Sequence, residues 1–583
     1  MPDPSPPADQ TSVSPAEPEK QADQHPGFRF AKFLCTQNPF YLLSVCFVLH
    51  GTSLWMNGSH EEYEALPLFL LICGYIFMMS LTAVTVIRKA KLWEDARSIL
   101  LLVPLLLVVL SLTLDDPLIT DPFTGGIMVV CAFLFSAGVM EMLLRGLRIR
   151  LPWLYRLPLH ALMGLIVVYP LAIVPALHYE DAALSASWRI YLFSPLSALV
   201  VLSLIPAIRK GADYVRENGT PWNWPLYPWT VFTFLIFAVG ARGYSYSLSF
   251  DPVLDQSYKD AMGLEAAWGM YFLTPLLLAV AFLLLEFGIV TRRISVSFPA
   301  MILPAAACGL ILFEWNDSLP YRLFQQEFTT TIASPLFIGL CCATLFYFVA
   351  LRRGVPLALP AFTITLLGFT VVGPKTVDPL TVTEFQPLPL LLAGSVLLTR
   401  GLFDRRSGRF FLGLAGITLW IGVEFWPYWS SFTLLMSFTH LLLASCLLSG
   451  VCFRDNLSRD FLFLGMIGLC LAAFLALFHP PELPNWLPDW SRPVYVLGLI
   501  ATALMIAYPC RLPPFFYVAL TMLLGTTIES GRLLLELLQS LVDWRGLSSF
   551  LIGFAILLLG ILVSAGKAGF LERLKALVPK PTE

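Results

Sequence analysis

Residues 65–91 read ALPLFLLICGYIFMMSLTAVTVIRKAK. From Ala65 to Ile87 no charged side chain occurs, and the run closes on Arg88, Lys89 and Lys91. A bilayer core takes about 17 to 25 apolar residues in helical form, so this stretch has the length of one span with a cationic stop. The preceding HEEYEA (60–65) is acidic and aromatic instead. Carboxylates at one end and cations at the other make a pattern, and the fold turns on whether it recurs.

It recurs almost to the C-terminus. Of 583 residues, 57% are hydrophobic and 13% charged, and the mean hydropathy is +0.75. A soluble chain carries about 25% charged residues. Lipid admits only helices or closed barrels, and these runs are too long and too uniformly apolar for barrel strands. The reading is an all-α polytopic integral membrane protein of about eighteen transmembrane helices, within a range of 16 to 19. The expected spans are 40–56, 65–87, 98–114, 124–144, 158–177, 188–208, 226–245, 267–290, 297–314, 333–351, 355–373, 386–402, 409–426, 431–452, 460–478, 492–508, 512–528 and 547–566.

Charge tests that count independently. Alternate loops hold 28 of the 37 Lys and Arg, among them Arg145, Arg148, Arg150 and Arg156, then Arg209, Lys210 and Arg216, then Arg292 and Arg293. The opposite loops are acidic, as in DDPLITDP (115–122) and EWNDSLPY (314–321). The positive-inside rule then places both termini in the cytoplasm, and the expected location is a bacterial-type inner or plasma membrane.

Residues 1–26 are rich in Pro, Ser and acidic side chains and predict a disordered tail. Residues 27–566 form the membrane domain, and 567–583 a short basic cytoplasmic tail. The net charge of −2 and the lack of a basic tract set nucleic acid aside. The eleven cysteines show no CxxC spacing and read as small buried hydrophobes. No cofactor or metal motif is visible, and the bilayer is the one partner the composition implies.

Two segments nearly repeat: YEDAALSASWRIYLFSP (179–195) and YKDAMGLEAAWGMYFLTP (258–275). A one-residue gap aligns Tyr179 with Tyr258, Asp181 with Asp260, Trp188 with Trp268, Tyr191 with Tyr271 and Pro195 with Pro275. The flanking text matches as well, so hairpins 150–211 and 219–295 read as a duplication. Ser194-Pro195 and Thr274-Pro275 suit an N-cap followed by the first helical residue. The Trp and Tyr pairs suit an outer interfacial belt.

Ionisable groups within spans are expensive and mark candidate sites. Glu141 and Glu286 lie near cytoplasmic ends, where pairing with Arg145 and with Arg292 is the plain reading. Arg242, Glu314 and Glu424 share an outer depth with Asp181 and Asp260, which suggests a polar outer layer; mutual neutralisation, as of Arg242 by Glu314, is the competing account. His440 is the deepest ionisable side chain, and a hydrogen bond to a neighbouring helix explains it without a ligand.

Asp181, Arg242, Asp260, Glu314, Glu424 and His440 are therefore the candidate binding residues, and none is assigned a catalytic role. The leading functional expectation is a transporter-like protein with an outer polar cleft. It rests on many spans, the absence of a soluble domain and Pro-interrupted helices such as YPLAIVPAL (169–177). An enzyme acting on a lipid-linked substrate and a non-catalytic scaffold are the alternatives.

Overall fold

The computed structural model describes residues 40–56, 65–91, 93–178, 182–249, 270–312, 319–375, 385–426, 431–478 and 491–541, together with 553, 556 and 557. These residues are 87% helical, and no strand occurs among them. The chain divides into two units, Met1–Phe328 and Thr329–Glu583.

In unit 1 the helices are α1 (Phe40–Met56), α2 (Ala65–Thr85), α3 (Trp93–Leu112), α4 (Asp115–Thr120), α5 (Pro122–Gly146), α6 (Trp153–Val168) and α7 (Pro170–Ile173). There follow α8 (Ala182–Leu202), α9 (Ile205–Lys210), α10 (Leu226–Ser249), α11 (Thr274–Thr291), α12 (Ile294–Leu312) and the start of α13 (Leu319–Thr331). Unit 2 continues with α14 (Pro335–Arg352), α15 (Ala358–Gly368), α16 (Leu388–Asp404), α17 (Ser407–Phe425), α18 (Ser431–Cys452), α19 (Asn456–Leu477), α20 (Arg492–Ala507) and α21 (Pro513–Leu541).

Among the described residues, twelve helices are long and apolar enough to cross a membrane, or thirteen if the bent pair Trp153–Val168 and Pro170–Ala176 is one span. Three more apolar helices are shorter, Leu43–Thr52, Ala358–Gly368 and Arg492–Ala507. The chain is thus a polytopic helical membrane protein, with fewer full-length spans among the described residues than the eighteen expected. The last expected span, 547–566, lies almost wholly outside the described residues. The shortfall has a physical source, since several apolar runs hold helices below 18 residues, such as the 17-residue α16.

In unit 1 the segment Ile99–Thr120 is the most enclosed, with 67% of its apolar window buried, and α10 packs against α3, α6 and α8. α8 and α11 lie against each other. Large apolar side chains such as Phe237 (77% exposed) and Leu134 (64%) face outward, as lipid contact requires.

α8 runs through Pro195 without a break, so Ser194 caps nothing, and its buried hydroxyl has no partner among the described residues. A membrane helix tolerates such an internal proline because neighbouring groups take up the freed carbonyl. Pro275 does open α11, but the cap position is Leu273, and the Thr274 hydroxyl has no partner among the described residues either. Trp188 and Tyr191 pack on Phe328 of α13, with ring centroids at 5.5 and 4.8 Å. Trp268 and the side chain of Tyr271 lie outside the described residues.

In unit 2, glycines set how closely two hairpins pack. A Cβ on Gly413 of α17 would lie 2.4 Å from the Leu398 nitrogen and 2.8 Å from the Gly394 carbonyl oxygen of α16. Only a residue without a side chain lets the two backbones come this close. α18 and α19 repeat the device, with a Cβ on Gly450 falling 2.5 Å from Leu462 Cγ.

Candidate functional site

The apolar run of α6 ends at Val168, and the chain bends by 52° into α7. Pro170 has no N–H to continue the ladder, so carbonyls at the end of α6 must bond elsewhere. Tyr246 of α10 supplies one donor, its hydroxyl bonding to the Ile166 carbonyl at 2.8 Å and to that of Leu165 at 3.1 Å. Arg242, one turn earlier on α10, supplies a second, with Nε donating to the Ile166 carbonyl at 3.4 Å.

The Arg242 guanidinium is fully buried, and every donor is used. Nη1 donates to Asp115 Oδ2 at 2.7 Å and to the Ser245 hydroxyl at 3.0 Å. Nη2 donates to Asp115 Oδ1 at 2.6 Å and to the Ser111 carbonyl at 3.0 Å. The Tyr246 ring covers one guanidinium face, 4.2 Å from Cζ to its centroid. A buried charge of this kind persists only when paired and fully hydrogen-bonded, and the two-pronged Arg–carboxylate fork meets that condition.

Asp115 is positioned by α4, a short helix between α3 and α5. Its other end is held by Asp121, the N-cap of α5, which accepts from the Phe123 and Thr124 N–H groups at 3.1 and 3.3 Å. On the far side of the break, the Tyr169 hydroxyl donates to the Arg189 carbonyl, and Arg189 Nη1 donates to the Ala172 carbonyl at 2.6 Å. The bend therefore sits inside a polar network drawn from α3, α4, α6, α8 and α10.

Comparison with protein-family models, curated proteins and solved structures finds no match.

The described partner of Arg242 is thus Asp115, while Glu314, the partner weighed from the sequence, lies outside the described residues. The sequence reading placed Asp115 in an acidic loop with Asp116 and Asp121, and nothing local separates the three. Asp181, Asp260 and Glu314 lie outside the described residues. Glu424 is exposed in the last turn of α17, and His440 lies on α18, both in unit 2. His440 Nδ1 donates to the Met436 carbonyl at 2.6 Å, and Nε2 shares a hydrogen bond with the Tyr495 hydroxyl of α20 at 2.5 Å.

Two further carboxylates take a two-pronged partner from a neighbouring helix. Glu286 of α11 meets Arg209 of α9 rather than Arg292, with Nη2 to Oε1 at 2.6 Å and Nε to Oε2 at 3.2 Å. Glu141 does contact Arg145 at 3.3 Å, but its two-pronged partner is Arg156 of α6. In both cases a packed neighbouring helix brings a better-aligned guanidinium than the carboxylate's own helix does.

Proposed function

We propose that this is a transporter-like membrane protein of about eighteen spans, with both termini in the cytoplasm and duplicated hairpins at 150–211 and 219–295. The observation that carries the reading is the broken span at α6 and α7, with a guanidinium and a tyrosine hydroxyl on its freed carbonyls. Discontinuous helices with charged groups at the break are how carriers build solute sites within the bilayer. On this reading Arg242 marks the depth of the site in unit 1, with Asp181, Asp260 and Glu314 toward its outer mouth. Glu424 and His440 are the binding candidates of unit 2.

A non-catalytic scaffold is the second reading. It is favoured by the full use of the Arg242 donors, which leaves that guanidinium no capacity for a solute while Asp115 stays in place.

The two differ in whether water reaches the break. Ser245 bonds to Arg242 and borders it, so a Ser245→Cys chain is treated in native membranes with a membrane-impermeant maleimide, and modification is read at that peptide by mass spectrometry. Carriers expose such a site to water during their cycle, so modification is expected. Protection of the introduced thiol from both faces, beside a loop cysteine that labels fully, would replace transport with the scaffold.

A further inference from the structure

The opposite end of α10 carries a different feature. About 21 Å from Arg242 along the helix, at 1.5 Å per residue from Pro228, an apolar groove opens between α3, α5 and the start of α10. It comprises two crevices of about 60 and 70 Å³ that share Leu100, Ile149, Tyr227, Pro228 and Val231. One of them reaches Thr220 and Trp222 in the loop before α10. Trp222 meets Trp93 edge to face at 5.6 Å, the kind of indole pairing that marks headgroup level in membrane proteins.

The rim of the groove is cationic. Arg148 and Arg150 flank Ile149 in a segment whose backbone meets the Trp222 loop, the Arg150 N–H donating to the Asn218 carbonyl at 2.8 Å. Both side chains are exposed, and neither guanidinium has a carboxylate partner among the described residues. In the segment leading to the Trp222 loop, exposed Arg216 is offset by the exposed carboxylates of Asp213 and Glu217, so the cationic character of the rim rests on Arg148 and Arg150.

We propose that this groove is a binding site for an anionic phospholipid, with an acyl chain between Leu100, Ile149 and Val231 and the phosphate between Arg148 and Arg150. The charge of the rim selects the occupant. A zwitterionic lipid would fill the groove equally well, but its headgroup has no net charge to offer the arginines. Another helix of this chain would leave both guanidinium groups uncompensated. The site is independent of whether the chain transports a solute.

Native mass spectrometry of the purified full chain tests it, with phosphatidylglycerol and phosphatidylcholine of identical chains added separately. The wild type is expected to retain phosphatidylglycerol preferentially. Arg148→Gln with Arg150→Gln should weaken that retention about 25-fold, a factor of about five for each arginine. Val231→Phe, which narrows the groove, should lower it too. Arg405→Gln with Arg406→Gln removes the same charge from an exposed loop of unit 2 and should leave retention unchanged. Equal retention of the two lipids, or equal losses in both arginine pairs, would overturn the site. If Val231→Phe loses its melting transition, the comparison of the arginine pairs decides alone.

Discussion

At the scale of single residues, the Arg242–Asp115 pair makes the sharpest prediction. Breaking a buried pair strands one charge in a dry interior and costs about 3 to 5 kcal/mol, whereas replacing both partners with apolar groups is often neutral. Arg242→Met and Asp115→Leu should each lower stability in detergent unfolding by about that amount, and the double variant should recover most of the loss. Additive losses would show that the two residues act separately. Asp121 offers a test in pH. The Thr124 hydroxyl and the Thr124 and Phe123 N–H groups hold its carboxyl below the ordinary value of 3.8. A lowered carboxylate pKa stabilises the fold above the ordinary value, and the effect is lost as pH falls through the lowered one. The melting temperature of Asp121→Ala should therefore trail the wild type by a constant margin from about pH 7 to about pH 4, with the gap closing below that. The expense of burying Arg242 was legible in the sequence, because a guanidinium inside an apolar run always needs an explanation. Its partner was not, because Asp115 lies 127 residues away in text that reads as a surface loop.

Among elements, the α16–α17 hairpin depends on an absent side chain. Gly413→Val would drive atoms into the α16 backbone, where no rotamer relieves the overlap. The two helices must then separate, and the variant should unfold at a markedly lower temperature than Gly309→Val, whose Cβ meets nothing within 4 Å. Similar losses for the two would remove close approach as the cause. Apolar length and proline interruption were readable here, and the break within YPLAIVPAL falls where the sequence placed one. Proline at a helix start and proline within a membrane helix share the same local text, so Ser194-Pro195 suggested an end that α8 does not have. α13 was hidden because its apolar positions are too few for a span. Its meaning lies in Phe324 and Phe328, which pack on Trp188.

For the whole molecule, the test is topology. The proposed orientation puts Asp181 and Asp260 on the outer face, so cysteines placed there should label from outside intact cells, and labelling from the cytoplasm alone would invert the layout. Loop charges made this expectation readable, since the sign of a loop depends on composition and not on packing. The burial of Asp115 also bears on how the protein is made. At about 5 to 20 residues per second, a ribosome needs about 6 to 25 seconds to travel the 127 residues from Asp115 to Arg242. During that interval Asp115 has no guanidinium to pair with, and burying its charge would be costly. A polypeptide stopped before Arg242 lacks the guanidinium altogether, so it must leave Asp115 in water or bury it unpaired.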